Sequence, residues 1–348
     1  MQALYLIIRR EKENYRYILW GKVGRVMSII NKIKSKESLI NDIFAIYAEC
    51  TDPPKRPVEL YHYTGVEAVY NIIKNKCFWL TKSDFLNDEK ELFYFYDILK
   101  EVLEENEFSN LNLEFIDWLK IESDEKLENT FILSFTRESD SLPLWEMYAN
   151  GRGYNLEVEY NKFFEEFWSG DMYISTCDSK KIYLTRKNDT KEFCGVSDFV
   201  VYDRQLQKDK VNELLRGVDL SIEFMDNYPE EIQFNMIREM KYRILSEFIN
   251  CIMLFKDESF SYEKEFRVVY NIINCDQLDI VRHRISNGRI IPYIQLGTEN
   301  NIIDSVRLSP RLKDDILSVK GLVSFVNTTN KFNEFNKISI DYSKSSIR

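Results

Sequence analysis

Histidine is the scarcest of the chemistry-bearing residues here: the 348-residue chain has two, His62 and His283. Its six cysteines (Cys50, Cys77, Cys177, Cys194, Cys251 and Cys275) include no CxxC pair. A zinc ribbon or finger is excluded, because its ligands recur at fixed short spacings. Scattered cysteines fit free thiols in a reducing cytoplasm. Glycine (11) and proline (7) are few, which leaves little room for a sandwich of many tight turns. No apolar run reaches the ~20 residues of a membrane helix. The apolar start from Ala3 to Ile8 is short for a secretory leader and meets Arg9 and Arg10 at once. The expectation is a cytoplasmic protein of mixed α and β structure, without a metal and away from the membrane.

Aromatic residues, by contrast, are abundant at 14%, with 23 Phe and 21 Tyr. The net charge of −10 argues against a surface that is basic all round, as nonspecific nucleic-acid binding requires. The charge is uneven. Residues 1–36 carry nine basic and two acidic side chains, a net of +7 that leaves −17 on the remainder. Apolar positions from Ile18 to Ile33 at three- and four-residue spacing predict helix there. The stretch Thr51-Asp52-Pro53-Pro54-Lys55-Arg56-Pro57 then stops it. The reading is a basic N-terminal helical arm, 1–56, and a core domain, 57–348. Such an arm packs on the acidic body or meets an anionic partner.

Within the core, strands are expected at Glu59 to Thr64, Cys77 to Thr81, Thr130 to Thr136 and Asn155 to Tyr160. A helix from Asn87 or Asp88 to about Glu107 carries an apolar stripe of Leu92, Phe95, Leu99, Val102 and Leu103. Residues 161–258 read as a mainly helical insertion with strands near Ile182 to Leu184 and Phe199 to Tyr202. Strands return at Ser261 to Ile272, Arg289 to Leu296, Ile303 to Leu308 and Lys337 to Tyr342.

Three stretches can carry chemistry. Alternation puts Leu60, His62 and Thr64 on one strand face and Tyr61 and Tyr63 on the other. His62 is then either a ligand-positioning group on a rigid platform or a half-buried structural histidine. Alternation also aligns Glu263, Glu265 and Arg267. This strip is either a solvent face or a pair of separately tunable carboxylates, one for a sugar hydroxyl and developing cation, the other for a nucleophile's proton. Ser134 and Thr136 share a third face, shortly before a helix with Trp145 and Tyr148. Gly151-Arg152-Gly153 is no phosphate loop, since neither a further glycine nor GK[ST] follows.

Tyr61-His62-Tyr63-Thr64, Phe78-Trp79-Leu80-Thr81, Phe85-Leu86-Asn87-Asp88-Glu89, Leu133-Ser134-Phe135, Leu144-Trp145-Glu146-Met147-Tyr148 and Tyr262-Glu263-Lys264-Glu265-Phe266-Arg267 together resemble the bacterial domain of unknown function family 2971. An early strand with histidine, a middle strand with Ser/Thr and aromatics, and a late ExE strand are also similar to the ADP-ribosyltransferase layout. The resemblance implies an α+β fold with a split, bent mixed sheet and a large helical insertion. It implies NAD as substrate, with Glu265 and Glu263 catalytic and His62, Tyr63, Thr64, Ser134, Tyr148 and Arg267 binding NAD. Tyr63 or Tyr148 is the ring that would stack on nicotinamide. Ser134-Phe135-Thr136 departs from the Ser-Thr-Ser of that layout. The implied function is ADP-ribosyl transfer to a macromolecular target, protein or nucleic acid, in a toxin or anti-phage role. The alternative is a noncatalytic nucleotide or nucleic-acid binding module.

Overall fold

Thr130-Phe131-Ile132-Leu133-Ser134-Phe135-Thr136 forms strand β3 (Thr130–Thr136), and its neighbours explain the architecture. All its residues but Ser134 are buried, as a nearly continuous apolar run demands of a strand covered on both faces. One edge of β3 pairs along its whole length with β8 (Glu265–Ile272). The other edge is shared. β1 (Glu59–Thr64) meets it only at Tyr61 opposite Thr136, and β2 (Cys77–Lys82) only at Thr81 opposite Ile132 and Lys82 opposite Phe131. Between those contacts the sheet is split by an open seam along Leu133, Ser134 and Phe135.

The computed structural model describes residues 59–86, 91–109, 111, 113–184, 193–225, 241, 244–272, 279–286, 288–331 and 337–346. All belong to the unit running from Val58 to Arg348. The expected basic arm, the helix start at Asn87 or Asp88 and residues 226–240 of the expected insertion lie outside the described residues.

Three wings spread from β3 in a bent, unclosed mixed sheet. β1 continues through β4 (Tyr154–Glu159) and β11 (Ile303–Leu308) to β12 (Ser339–Tyr342), the last pair parallel. β2 continues through β10 (Arg289–Thr298) to β5 (Met172–Ser175) and β6 (Lys181–Tyr183), and β10 also pairs with β9 (Arg282–Ser286). β8 pairs with β7 (Phe193–Phe199).

The helices are α1 (Val66–Asn75), α2 (Glu91–Glu105), α3 (Leu113–Leu127), α4 (Leu142–Ala149), α5 (Tyr160–Ser169), α6 (Arg204–Met225), an unlabelled helix over 244–254, and α7 (Ile316–Asn330). α1 buries Val69, Ile72 and Ile73 at the spacing of one helical face. No helix among the described residues is long and apolar enough to cross a membrane.

The α+β class and the bent mixed sheet match the expectation, and residues 161–258 combine helices with strands, one strand (β5) more than the two expected. They supply β5, β6 and β7 to the sheet. The strand expected near Phe199 to Tyr202 ends at Phe199, leaving Val201 with one isolated bridge to Phe255. The stretch from Ser261 also differs. Residues Glu258–Glu263 form a 3₁₀ turn, Lys264 adopts a left-handed φ of 43°, and the strand begins at Glu265.

Gly153, outside any phosphate loop, has a packing role. A Cβ built there would lie 2.3 Å from the Thr64 carbonyl oxygen and 2.8 Å from that of Ala149. Both obstacles are backbone, so β4 can start beside the end of β1 only with glycine. Gly153→Ala is expected to lower stability by about 1–3 kcal/mol in urea unfolding, and an unchanged midpoint would refute this close approach.

Asp198 in β7 gives a pH-dependent case. Burial pushes its carboxyl up to about 6, against the Phe199 N–H and the charge of Lys210. Folding therefore favours its protonated form. That contribution is present below the ordinary carboxyl range and is lost as pH rises through about 6. Asp198→Asn should stabilise the protein by roughly 2 kcal/mol at pH 7.5, with the gain shrinking toward pH 4. Equal gains in urea unfolding at both pH values would contradict the burial argument.

Candidate functional site

The seam in the sheet is where His62 sits. Its pleat position points it toward the Phe135 side, opposite Thr136 and Glu265. Because β1 and β3 part after one residue pair, its ring lodges edge-on between Phe78 (5.9 Å between centroids) and Phe135 (5.8 Å). The split frees the Ser134 carbonyl from the ladder, and His62 Nδ1 lies 2.9 Å from that oxygen. A carbonyl only accepts, so Nδ1 carries the proton. Burial, helped by the charge of Arg284 and opposed by the Ser134 bond, lowers the His62 pKa. The neutral ring therefore keeps a lone pair on Nε2, which has no partner among the described residues.

The seam opens into a small cleft of about 130 Å³ that is partly open to solvent. It is lined by His62, Tyr63, Ser134, Tyr148, Glu263, Glu265 and Arg267. Seven of the eight residues marked out by sequence thus meet in one place. Thr64 does not line it: as the last residue of β1 it pairs with Tyr154, at the end of the strand.

At the base of the cleft is a buried cluster of charge: Glu91, Lys256, Glu263, Glu265 and Arg267 are each at most 6% exposed. Lys256 Nζ lies 2.6 Å from Glu263 Oε2, 3.3 Å from Glu265 Oε2 and 3.8 Å from Glu91 Oε1. Burial alone would lower its pKa, but Glu265 and Glu263 outweigh burial and raise it, so it remains an ammonium. Arg267 grips Glu265 with two parallel bonds, Nε to Oε1 and Nη2 to Oε2, both 2.8 Å. Its Nη1 donates to the Met253 carbonyl at 2.6 Å, and Nη2 also reaches Glu91. Burial pushes the Glu265 carboxyl up, while Lys256 and the Ser134 hydroxyl pull it down.

The two glutamates are consequently unequal. Both Glu265 oxygens are held by the Arg267 fork and Lys256. Glu263 accepts one bond on each oxygen, from Lys256 and from Tyr148 Oη at 2.7 Å, leaving acceptor capacity toward the cleft. Its place comes from the 3₁₀ turn and the left-handed Lys264, and not from strand alternation. Arg267, expected to bind NAD, instead directs its guanidinium into the protein and braces Glu265.

The aromatic candidates divide in the same way. Tyr63 packs 4.7 Å from Trp145, while its hydroxyl donates to the Glu138 carbonyl and accepts from the Ser141 N–H. That hydroxyl ties down the loop after β3. Tyr148 is half-buried on α4 and is the ring facing the carboxylates. The loop has a second fastening at Asp140, whose carboxylate accepts from Trp145 Nε1 (2.7 Å), Ser343 Oγ (2.6 Å) and the Lys344 and Ser345 N–H groups (2.7 and 3.1 Å).

Residues 144–268 match the model of a family described as a protein of unknown function, DUF2971. Over that span the chain is similar to the family, and the span holds Tyr148, Lys256, Glu263, Glu265 and Arg267. His62, Glu91 and Ser134 precede it. No curated protein matches the chain, and no solved structure does. Among the described residues no group of His, Cys, Asp and Glu is disposed to hold a metal ion; amid the three glutamates stand Lys256 and Arg267.

Proposed function

We propose that the chain cleaves the bond between nicotinamide and ribose in NAD and transfers ADP-ribose to a macromolecule. The observation that carries this reading is the convergence of His62, Ser134 and Tyr148 with Glu263 and Glu265 on one cleft. When the C–N bond breaks, its electron pair leaves with nicotinamide, and the ribose carbon becomes an oxocarbenium-like cation. Glu263, with open lone pairs in a water-poor site, stabilises that cation electrostatically. The acceptor's lone pair then bonds the ribose carbon, and its proton passes to Glu263. His62 Nε2 accepts a hydrogen bond from a ribose hydroxyl, the Tyr148 ring flanks nicotinamide, and Glu265 with Lys256 fixes the geometry of Glu263.

A noncatalytic nucleotide-binding role is favoured by one feature: Glu91, Glu265, Lys256 and Arg267 largely neutralise one another, as in a structural ion-pair network. Labelled NAD separates the two readings. Under the first, NAD raises the melting temperature more than ATP at equal concentration, nicotinamide is released, and label enters protein or nucleic acid of a cell lysate. NAD binding without release would leave the binding module. Neither binding nor release would overturn both.

A further inference from the structure

Three buried side-chain nitrogens among the described residues have no hydrogen-bond partner: Trp79 Nε1, Arg282 Nε and Arg284 Nε. All three are donors on one patch of the sheet. Leaving a buried donor unpaired is unfavourable, so three together mark a place short of an acceptor. Arg284 Nη2 donates to Thr81 Oγ1 at 2.9 Å, its guanidinium lies 5.8 Å from the centre of the Trp79 ring, and Nη1 has no partner among the described residues. Trp79 in turn packs 4.9 Å from Tyr293. Arg282 Nη2 donates to the Thr176 carbonyl. Neither guanidinium forms an ion pair among the described residues.

Register places this patch relative to the cleft. Arg282, Tyr293, Thr81 and Ile132 stand in one row across β9, β10, β2 and β3. Ser134 and Thr136 share the face of Ile132, and they pair with Arg267 and Glu265. Trp79, two residues before Thr81, therefore lies on the same face, just across the seam from Ser134. The charge of Arg284 is felt at His62, which sits in that seam. One face of the sheet thus carries both the carboxylates and, beyond the seam, two cations with unmet donors.

We propose that Arg284, Arg282, Trp79 and Thr81 form a phosphate-binding subsite that holds the pyrophosphate of the nucleotide whose glycosidic end enters the Glu263 cleft. This rests on the reading of the cleft as a nucleotide site. Phosphate oxygens are the acceptors the patch lacks. A guanidinium fork backed by an indole presents them with planar, paired donors that an ammonium cannot reproduce.

The test compares ADP with adenosine on the full chain by titration calorimetry. Wild type should bind ADP at least about tenfold more tightly than adenosine. Arg284→Met should abolish that difference while leaving adenosine affinity unchanged, and Arg284→Lys should restore it only in part. Thr81→Val, which removes only the support of the guanidinium, should weaken ADP to a smaller extent and covers the case that Arg284→Met does not fold. A wild type without the ADP preference, or an Arg284→Met variant that retains it, overturns the subsite. If the ADP preference depends on Arg284 but wild type releases no nicotinamide from NAD, the subsite stands and glycoside cleavage falls. If Arg284→Met releases nicotinamide with wild-type kcat and KM, the subsite falls and the cleavage reading survives.

Discussion

Glu263→Gln is expected to lower nicotinamide release from NAD by about 100-fold or more while the protein stays folded. The substitution removes the charge facing the cleft but keeps the shape. The new amide can turn its oxygen to Lys256 and donate its NH₂ to Tyr148 Oη, so both existing contacts survive in altered form. Lys256 still has Glu265 and Glu91 within 3.8 Å. Tyr148→Phe is the companion variant, since it leaves the carboxylate charged and deletes only its hydrogen-bond donor. Its effect on release should be smaller. Single-turnover rates at saturating NAD, with circular dichroism to confirm folding, make the comparison, and a Glu263→Gln variant at wild-type rate would remove Glu263 from the proposed chemistry.

Arg267→Met should produce the largest loss of stability, about 3–5 kcal/mol. The wild-type guanidinium is 1% exposed and neutralises Glu265 and Glu91. Methionine fills part of the space but leaves both carboxylates sharing Lys256 in a place with little water. Their carboxyl groups then favour protonation in the folded state. By linkage the deficit is small where they are protonated and grows as pH rises through their raised folded pKa. Urea unfolding at several pH values measures this directly. Adding Glu265→Gln to Arg267→Met should recover part of the loss, because the pair acts as a unit. A pH-independent deficit would mean that lost packing, and not stranded charge, dominates.

How far the site could be read from sequence depends on each residue's surroundings. His62, Ser134 and Glu265 lie on short strands whose alternation is plain, and each occupies the strand its pattern predicts. Glu263 was marked out for a strand face, yet it reaches the cleft through a turn. Local pattern could not distinguish these, because Tyr262 to Arg267 alternates under either conformation. Glu91 carries a sequence signal of its own. The buried face of α2 is Glu91, Phe95, Ile98, Leu99 and Val102, a spacing of four, three, one and three, so the carboxylate falls on the apolar stripe itself. Lys256 directly follows the apolar run Cys251 to Phe255, where a cation must be paired or desolvated. Its partners come from Glu91, far away in sequence, and from the turn after it. For Arg267 the resemblance implies a ligand role, while strand pattern shows which face a guanidinium occupies but not whether its donors are already engaged. The three wings of the sheet depend on which strand edges meet, and periodicity within one strand carries no such information.

The fastening at Asp140 bears on how the protein is made. Its carboxylate joins Trp145, on the helix that carries Tyr148, to residues 343–345, some 200 positions further on. Tyr148 itself meets Glu263, and Glu91 meets Arg267, across separations of 115 and 176 residues. Closing such long loops before their contacts can repay the lost entropy slows folding. During synthesis β1, with His62, and then β3 emerge long before β8 and the tail that complete the cleft. The walls of the cleft therefore join segments made early with segments made late in synthesis, and a nascent chain still lacking residues 343–345 holds Tyr148 on a helix without its final anchor.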